Sequence, residues 1–168
     1  MLDLIKTVSV TKAVAAAGNY SAEDVISESA SNGVGTAWTF DDMVRAPGLS
    51  GIITRAQLLC ETTGQIQPCV LYLFKALPTC ELDDNAASNC VLHADAANYV
   101  GRIDFPAMSD LGGDSESVVT PSTVGNLPLY FTCATTDDKL YGVLVTTIAF
   151  TNETAGDDYI IKLTVEQQ

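Results

Sequence analysis

Apolar and polar residues alternate with a period of two along much of this chain. Near the end, Tyr159, Ile161, Leu163 and Val165 alternate with Lys162, Thr164 and Glu166. That spacing predicts a strand with one face in a core and the other in water. Near the start, Val8, Val10 and Val14 alternate with Thr7, Ser9, Thr11 and Ala13. In the stretch 52–60 the even positions Ile52, Ala56, Leu58 and Cys60 are apolar, while Arg55 and Gln57 point the other way. Two stretches break the alternation. Cys69–Phe74 is apolar at every position, as expected of a central strand covered on both faces, and 141–150 is similar but interrupted by Thr146 and Thr147. Weaker strands are read at 37–40, 99–105 and 127–133. Residues 24–28 read as an edge strand with little core.

Turn chemistry separates these runs. Asn32-Gly33, Ala46-Pro47-Gly48, Thr63-Gly64, Gly112-Gly113, Gly125-Asn126 and Ala155-Gly156 are all breakers. Asp137-Asp138-Lys139 reads as a hairpin turn joining two strands. The Ala-rich stretch 89–98 is a helical candidate of at most two turns, and the run 13–17 is ended quickly by Gly18. Residues 110–126, rich in Gly, Ser, Asp and Thr, read as one long loop. About eight to ten short strands with turns between them predict an all-β sandwich or barrel. The expected core includes Val8, Val10, Trp38, Leu58, Leu71, Leu73, Phe131, Val143, Val145, Ile161 and Leu163. With 168 residues, no repeat and no Pro-rich linker, the chain reads as a single domain over 1–168.

Charge narrows the partners. Eight Lys and Arg against 21 Asp and Glu give a net charge of −13. A chain so acidic is a poor binder of nucleic acid or of anionic membrane surfaces. No apolar run approaches the roughly 20 residues of a spanning helix. The start, Met1-Leu2-Asp3-Leu4-Ile5-Lys6, lacks the basic and apolar regions of a signal peptide, so synthesis and retention in a cytoplasm are expected. The sequons Asn19-Tyr20-Ser21 and Asn152-Glu153-Thr154 carry no meaning without secretion.

Candidate chemistry is sparse. The single histidine, His93, lies in Leu92-His93-Ala94-Asp95 with no nucleophile elbow to serve, and reads as a surface or helix-cap residue. No glycine-rich phosphate cradle is present, so no nucleotide cofactor is expected. The acid doublets Asp41-Asp42, Asp83-Asp84, Asp137-Asp138 and Asp157-Asp158 fall in turns, and no calcium-loop pattern accompanies them. Were calcium bound, the loop 110–116 would be the first place to look. Cys60, Cys69, Cys80, Cys90 and Cys133 are spaced by 9, 11, 10 and 43 residues, which matches no metal-ligand pattern. They read as free thiols packed as small apolar groups, with a Cys80–Cys90 bridge closing a polar loop as the alternative. Trp38 followed by Phe40 reads as core, not as a platform for sugar rings. No catalytic residue, cofactor or metal is assigned.

The order of segments carries a resemblance. The N-terminal strand leads into Ala15-Ala-Ala-Gly-Asn-Tyr20-Ser-Ala-Glu-Asp-Val25-Ile-Ser27. Gly51-Ile-Ile-Thr-Arg-Ala-Gln-Leu58, Val70-Leu-Tyr-Leu-Phe74 and Leu82-Asp-Asp-Asn-Ala-Ala-Ser88 follow. The chain closes through Tyr99-Val-Gly-Arg-Ile-Asp104, Tyr141-Gly-Val-Leu-Val-Thr146 and Asp157-Asp-Tyr-Ile-Ile-Lys-Leu-Thr-Val165. This resembles a family of small tailed-bacteriophage virion proteins regarded as capsid decoration, or cement, proteins. The resemblance implies a jelly-roll-like sandwich, a homotrimer, the major capsid protein as partner, and a place on the outside of the virion head. It implies no catalytic residues. The five cysteines and the polar insert 110–126 are not part of that pattern.

Three functions compete at this point. The first is a decoration protein that bridges neighbouring capsid subunits, with the segment 1–20 as one contact element. The alternative for that segment is an ordinary first strand. The second is a tail-fibre or receptor-binding sandwich that recognises host carbohydrate. The third, a glycoside or ester hydrolase, has no carboxylate pair or nucleophile that the sequence locates.

Overall fold

A computed structural model describes residues 4–15, 18–122, 125–151 and 154–168. It is an all-β sandwich of two antiparallel sheets. Sheet one runs in the order β1 (Ile5–Ala13), β10 (Asp158–Gln167), β3 (Ser50–Cys60), β7 (Ser115–Val119) and β6 (Ser109–Asp110), with β8 (Leu129–Thr132) also on β3. Sheet two runs β2 (Trp38–Phe40), β9 (Leu140–Thr146), β4 (Cys69–Phe74) and β5 (Tyr99–Phe105). The chain therefore crosses between sheets repeatedly. The last strand of each sheet in chain order, β10 and β9, inserts between two early ones.

Between the sheets lies the main core. Sheet one contributes Val8, Ile53, Leu58, Tyr159, Ile161, Leu163 and Val165; sheet two contributes Trp38, Phe40, Leu71, Leu73, Leu144 and Ile103. Gly142 of β9 sits directly beneath this layer. A Cβ there would lie 2.8 Å from Leu71 Cδ1 and 3.0 Å from Phe40 Cε2, so the close packing of β2 on β9 requires glycine. The expected core holds with two adjustments. Val10 is only half-buried, and Val143 and Val145 lie on the far side of sheet two, in a second cluster with Val25, Phe74 and Cys80.

Several readings of the sequence are corrected. In β3 the even-position pattern fails at Ile52. Pairing with β10 passes from Arg55↔Thr164 to Ile53↔Val165, which leaves Thr54 as an extra residue. This bulge switches faces, so Ile53 and Ala56 both enter the core and Ile52 turns outward. The stretch 110–126 is not one loop, because it contains β7. Ser115, Ser117 and Val119 are the inward residues there, and the two serine hydroxyls bond the Thr62 and Pro106 carbonyls. A strand with two satisfied serines among its three inward residues shows little apolar alternation. Asp137-Asp138-Lys139 does not close a hairpin, since β8 lies in sheet one and β9 in sheet two. That crossing is held by Met43 N–H to Asp138 O and Gly48 N–H to Asp137 O.

Residues 24–28 form no continuous strand, only the bridges Asp24↔Ala87 and Val25↔Val145, and contrary to expectation Val25 and Ile26 are buried. Their backbone groups alternate between β9 and a strap of residues 75–98, so neither neighbour pairs with them for long. The helical candidate 89–98 reduces to a single 3-10 turn, His93–Asp95. Of the run 13–17, Ala13 ends β1, and 16–17 lie outside the described residues.

Candidate interaction surfaces

The two outer faces of the sandwich differ in what covers them. On sheet two, Val70, Tyr72, Phe74, Val143 and Val145 point away from the main core, and the strap closes over them. Buried carboxylates hold the strap down. Asp83 accepts the Gly33, Val34 and Gly35 N–H groups at 2.6, 3.1 and 2.8 Å. These bonds, Gly35 and Gly33 foremost, hold the Asp83 carboxyl below its ordinary range. Asp84 accepts the Tyr20 hydroxyl and the Ser27 N–H, both at 2.8 Å, and Asp95 accepts the Thr79 N–H at 3.0 Å. Gly35 is pressed against the strap so closely that a Cβ would stand 2.1 Å from the Leu82 carbonyl oxygen. The Asp83-Asp84 doublet, read from sequence as turn residues, is thus the clamp between two long connections. The sequence offers no periodic signal for that role, because its partners are backbone N–H groups about fifty residues away.

Between the strap and sheet two lies a cleft of about 460 Å³. Glu23, Ser88 and Cys90 form one wall, and Tyr72, Arg102 and Asp104 the other. Arg102 Nε stands 3.1 Å from Asp104 Oδ1, and Asp104 Oδ2 accepts from Asn126 at 2.9 Å. The cleft offers an aromatic ring, an ion pair and the Cys90 thiol.

Sheet one presents its outer face to water. Thr7 faces Thr164, with their hydroxyls 3.2 Å apart, and Ser9 faces Lys162. Arg55 and Lys162 stand diagonally across β3 and β10, and neither has a carboxylate partner among the described residues. The exposed Tyr130, at 69% accessibility, pairs with Ile52 on the same face. The same face carries the carboxylates of Glu116, Asp158 and Glu166 beside these two cations.

The segment 1–20 is the first strand of its own sandwich over the residues described: β1 pairs along its whole length with β10. It is also an edge strand, nine residues long, whose other side joins no strand among the described residues. Its two lysines are tied back inside the molecule, Lys6 to Asp42 at 3.1 Å and Lys12 to Glu28. Lys12 also donates to the Thr36 hydroxyl at 2.9 Å and lies 5.5 Å from the centre of the Trp38 ring. Burial opposes ionisation of Glu28, but hydrogen bonds from Lys12, Thr36 and Ser27 outweigh it and hold its carboxyl at about 2.

The remaining candidate residues are dispersed. His93 is exposed in its 3-10 turn. Trp38 is fully packed, with Nε1 donating to Ile26 O at 3.2 Å. In the loop 110–116, Asp110 accepts from Gly112 N–H and Thr63 Oγ1. Asp41 pairs with Lys139 at 2.7 Å, Asp137 accepts the Tyr141 hydroxyl, and Asp157 accepts from Thr62. Among the described residues no three His, Cys, Asp or Glu side chains converge on a point where a metal ion would sit. No helix among them is long and apolar enough to cross a membrane. All five cysteines are free thiols, and burial raises Cys60, Cys69 and Cys133, the last to about 12. The sequon at Asn152 begins outside the described residues. No protein-family model matches the chain, and no curated protein matches it.

Proposed function

We propose that this protein is a structural virion component, a decoration protein that binds the outside of a tailed-phage head as a homotrimer and bridges major-capsid subunits. The observation that carries the reading is the strand order. Reading β1-β10-β3-β7 in one sheet and β2-β9-β4-β5 in the other gives the interleaving expected of a jelly roll, an architecture common among viral capsid and lectin domains. The segment order in the sequence points the same way. The proposal needs no catalytic residue, no cofactor, no nucleic acid and no membrane. It places the protein on the virion after synthesis in a host cytoplasm.

The contact element is sheet one, whose wet outer face and long β1 edge are the parts of the sandwich that the strap leaves uncovered. A ligand that binds only the assembled shell stabilises that shell by mass action, and three arms on one trimer raise one another's effective concentration. Heads with and without the protein should therefore differ under heat or osmotic shock. The reading predicts that stripped heads rupture earlier and regain resistance when the protein is added back. Stripped heads that are equally robust and rebind none of it would overturn the reading.

The cleft favours a second reading, a receptor-binding sandwich for host carbohydrate. Tyr72 supplies a ring face, and Arg102 with Asp104 supplies a planar hydrogen-bonding pair. Binding on a glycan array that is lost in Arg102→Met would support it over the first.

A further inference from the structure

The five thiols are not equivalent. Cys60, Cys69 and Cys133 are buried in the main core. Cys80 and Cys90 instead belong to the smaller cluster under the strap, Cys80 within it and Cys90 packed against it. The flanking chain brings the two segments together, since Glu81 N–H, next to Cys80, donates to Asn89 Oδ1, next to Cys90, at 2.7 Å. Each thiol also borders an opening. Cys90 lines the 460 Å³ cleft, and Cys80 lines a separate shallow one on the other side of the strap.

We propose that Cys80 and Cys90 are a redox-active pair that closes to a disulfide by exchange with a small-molecule disulfide. Cys90 is the entry point. Interaction with the neighbouring Cys80 thiol lowers the Cys90 thiol and raises Cys80, against burial and the Asp95 carboxylate, which oppose ionisation of Cys90. The Cys90 thiolate attacks one sulfur of the reagent disulfide, forms a mixed disulfide and expels one thiolate. Cys80 then gives up its proton and attacks the Cys90 sulfur, expelling the second thiolate. Two protein thiols are oxidised by two electrons, the reagent is reduced to two thiols, and the two protons leave on them.

The closed loop would carry Asp83 and Asp84, the carboxylates that clamp 20–35, together with Ser88 of the cleft wall. Oxidation would therefore fasten the cover of sheet two, whether or not the protein sits on a capsid.

The test treats the folded, full-length protein with oxidised glutathione at neutral pH, followed by alkylation and peptide mass spectrometry. The expected product is a Cys80–Cys90-linked peptide lighter by two hydrogens and reversed by dithiothreitol, with Cys60, Cys69 and Cys133 alkylated only after denaturation. Closing this loop should raise the melting temperature by roughly 5 °C. Cys80→Ser and Cys90→Ser should each abolish the rise, and the double variant should melt like the reduced protein in either buffer. Two free thiols after treatment, a glutathione adduct left unresolved on Cys90, or linkage without a rise in melting temperature would each overturn the proposal.

Discussion

The two sheets bury their inner faces against each other and differ on their outer ones. Sheet two is covered by the strap, so its central strands β4 and β9 are apolar on both sides. Sheet one is bare, so β1 and β10 alternate cleanly and β3 does so on either side of its bulge. The difference teaches where each part of the molecule gets its stability and what remains for a partner. A covered sheet has spent both faces on folding. A bare one keeps an open array that mixes Thr, Ser, Lys and Arg with Glu116, Glu166 and the apolar Ile52, Ile160 and Tyr130, and this array is the surface the decoration reading uses.

The largest effect should come from the shared core. Leu71→Ala empties a fully buried site between the sheets and should cost about 2–5 kcal/mol in denaturant unfolding. Next comes the comparison itself. Val143→Ala, on the outer face of sheet two, should cost about 2 kcal/mol, because the strap makes that face a core. Thr164→Ala, an outward position of sheet one, should stay within about 0.5 kcal/mol. Equal effects at these two sites would break the distinction between covered and bare faces. Gly35→Ala tests how the cover is fastened. The new methyl meets backbone that cannot yield, so the strap should lift, seen as faster amide exchange over 80–90 with less change in sheet one.

A smaller effect is expected in acid. The Glu28 carboxyl is held at about 2, below its ordinary 4.5. A lowered carboxylate contributes stability that is fully present above pH 4.5 and is lost as the pH falls toward 2. Thermal melts between pH 5 and pH 2 should show this decline, and Glu28→Gln should flatten it.

Much of the fold was legible because it follows from period-two alternation. Tyr159 to Val165 announced a half-wet strand, and Cys69 to Phe74 announced a strand covered twice. What escaped was structure whose signal is polar. Ser115 and Ser117 occupy inward positions and bond backbone carbonyls, so β7 looked like loop. Thr54 inverts the facing of β3 through a bulge that its composition does not mark. Asp83 and Asp84 look like any turn-forming acids, and only the fold brings the backbone of 27–35 to them. The candidate surfaces were legible only in outline. The sequence indicated that β1 is a strand, while its position at an edge depends on how distant segments pair.

Imaging of purified particles tests the central claim most directly. The account predicts density for this sandwich repeated over the outer surface of the head, in groups of three, with the β1-β10-β3 face turned toward the capsid and the strap turned toward solvent. Density confined to the tail tip, or a head surface bare of it, would contradict the account.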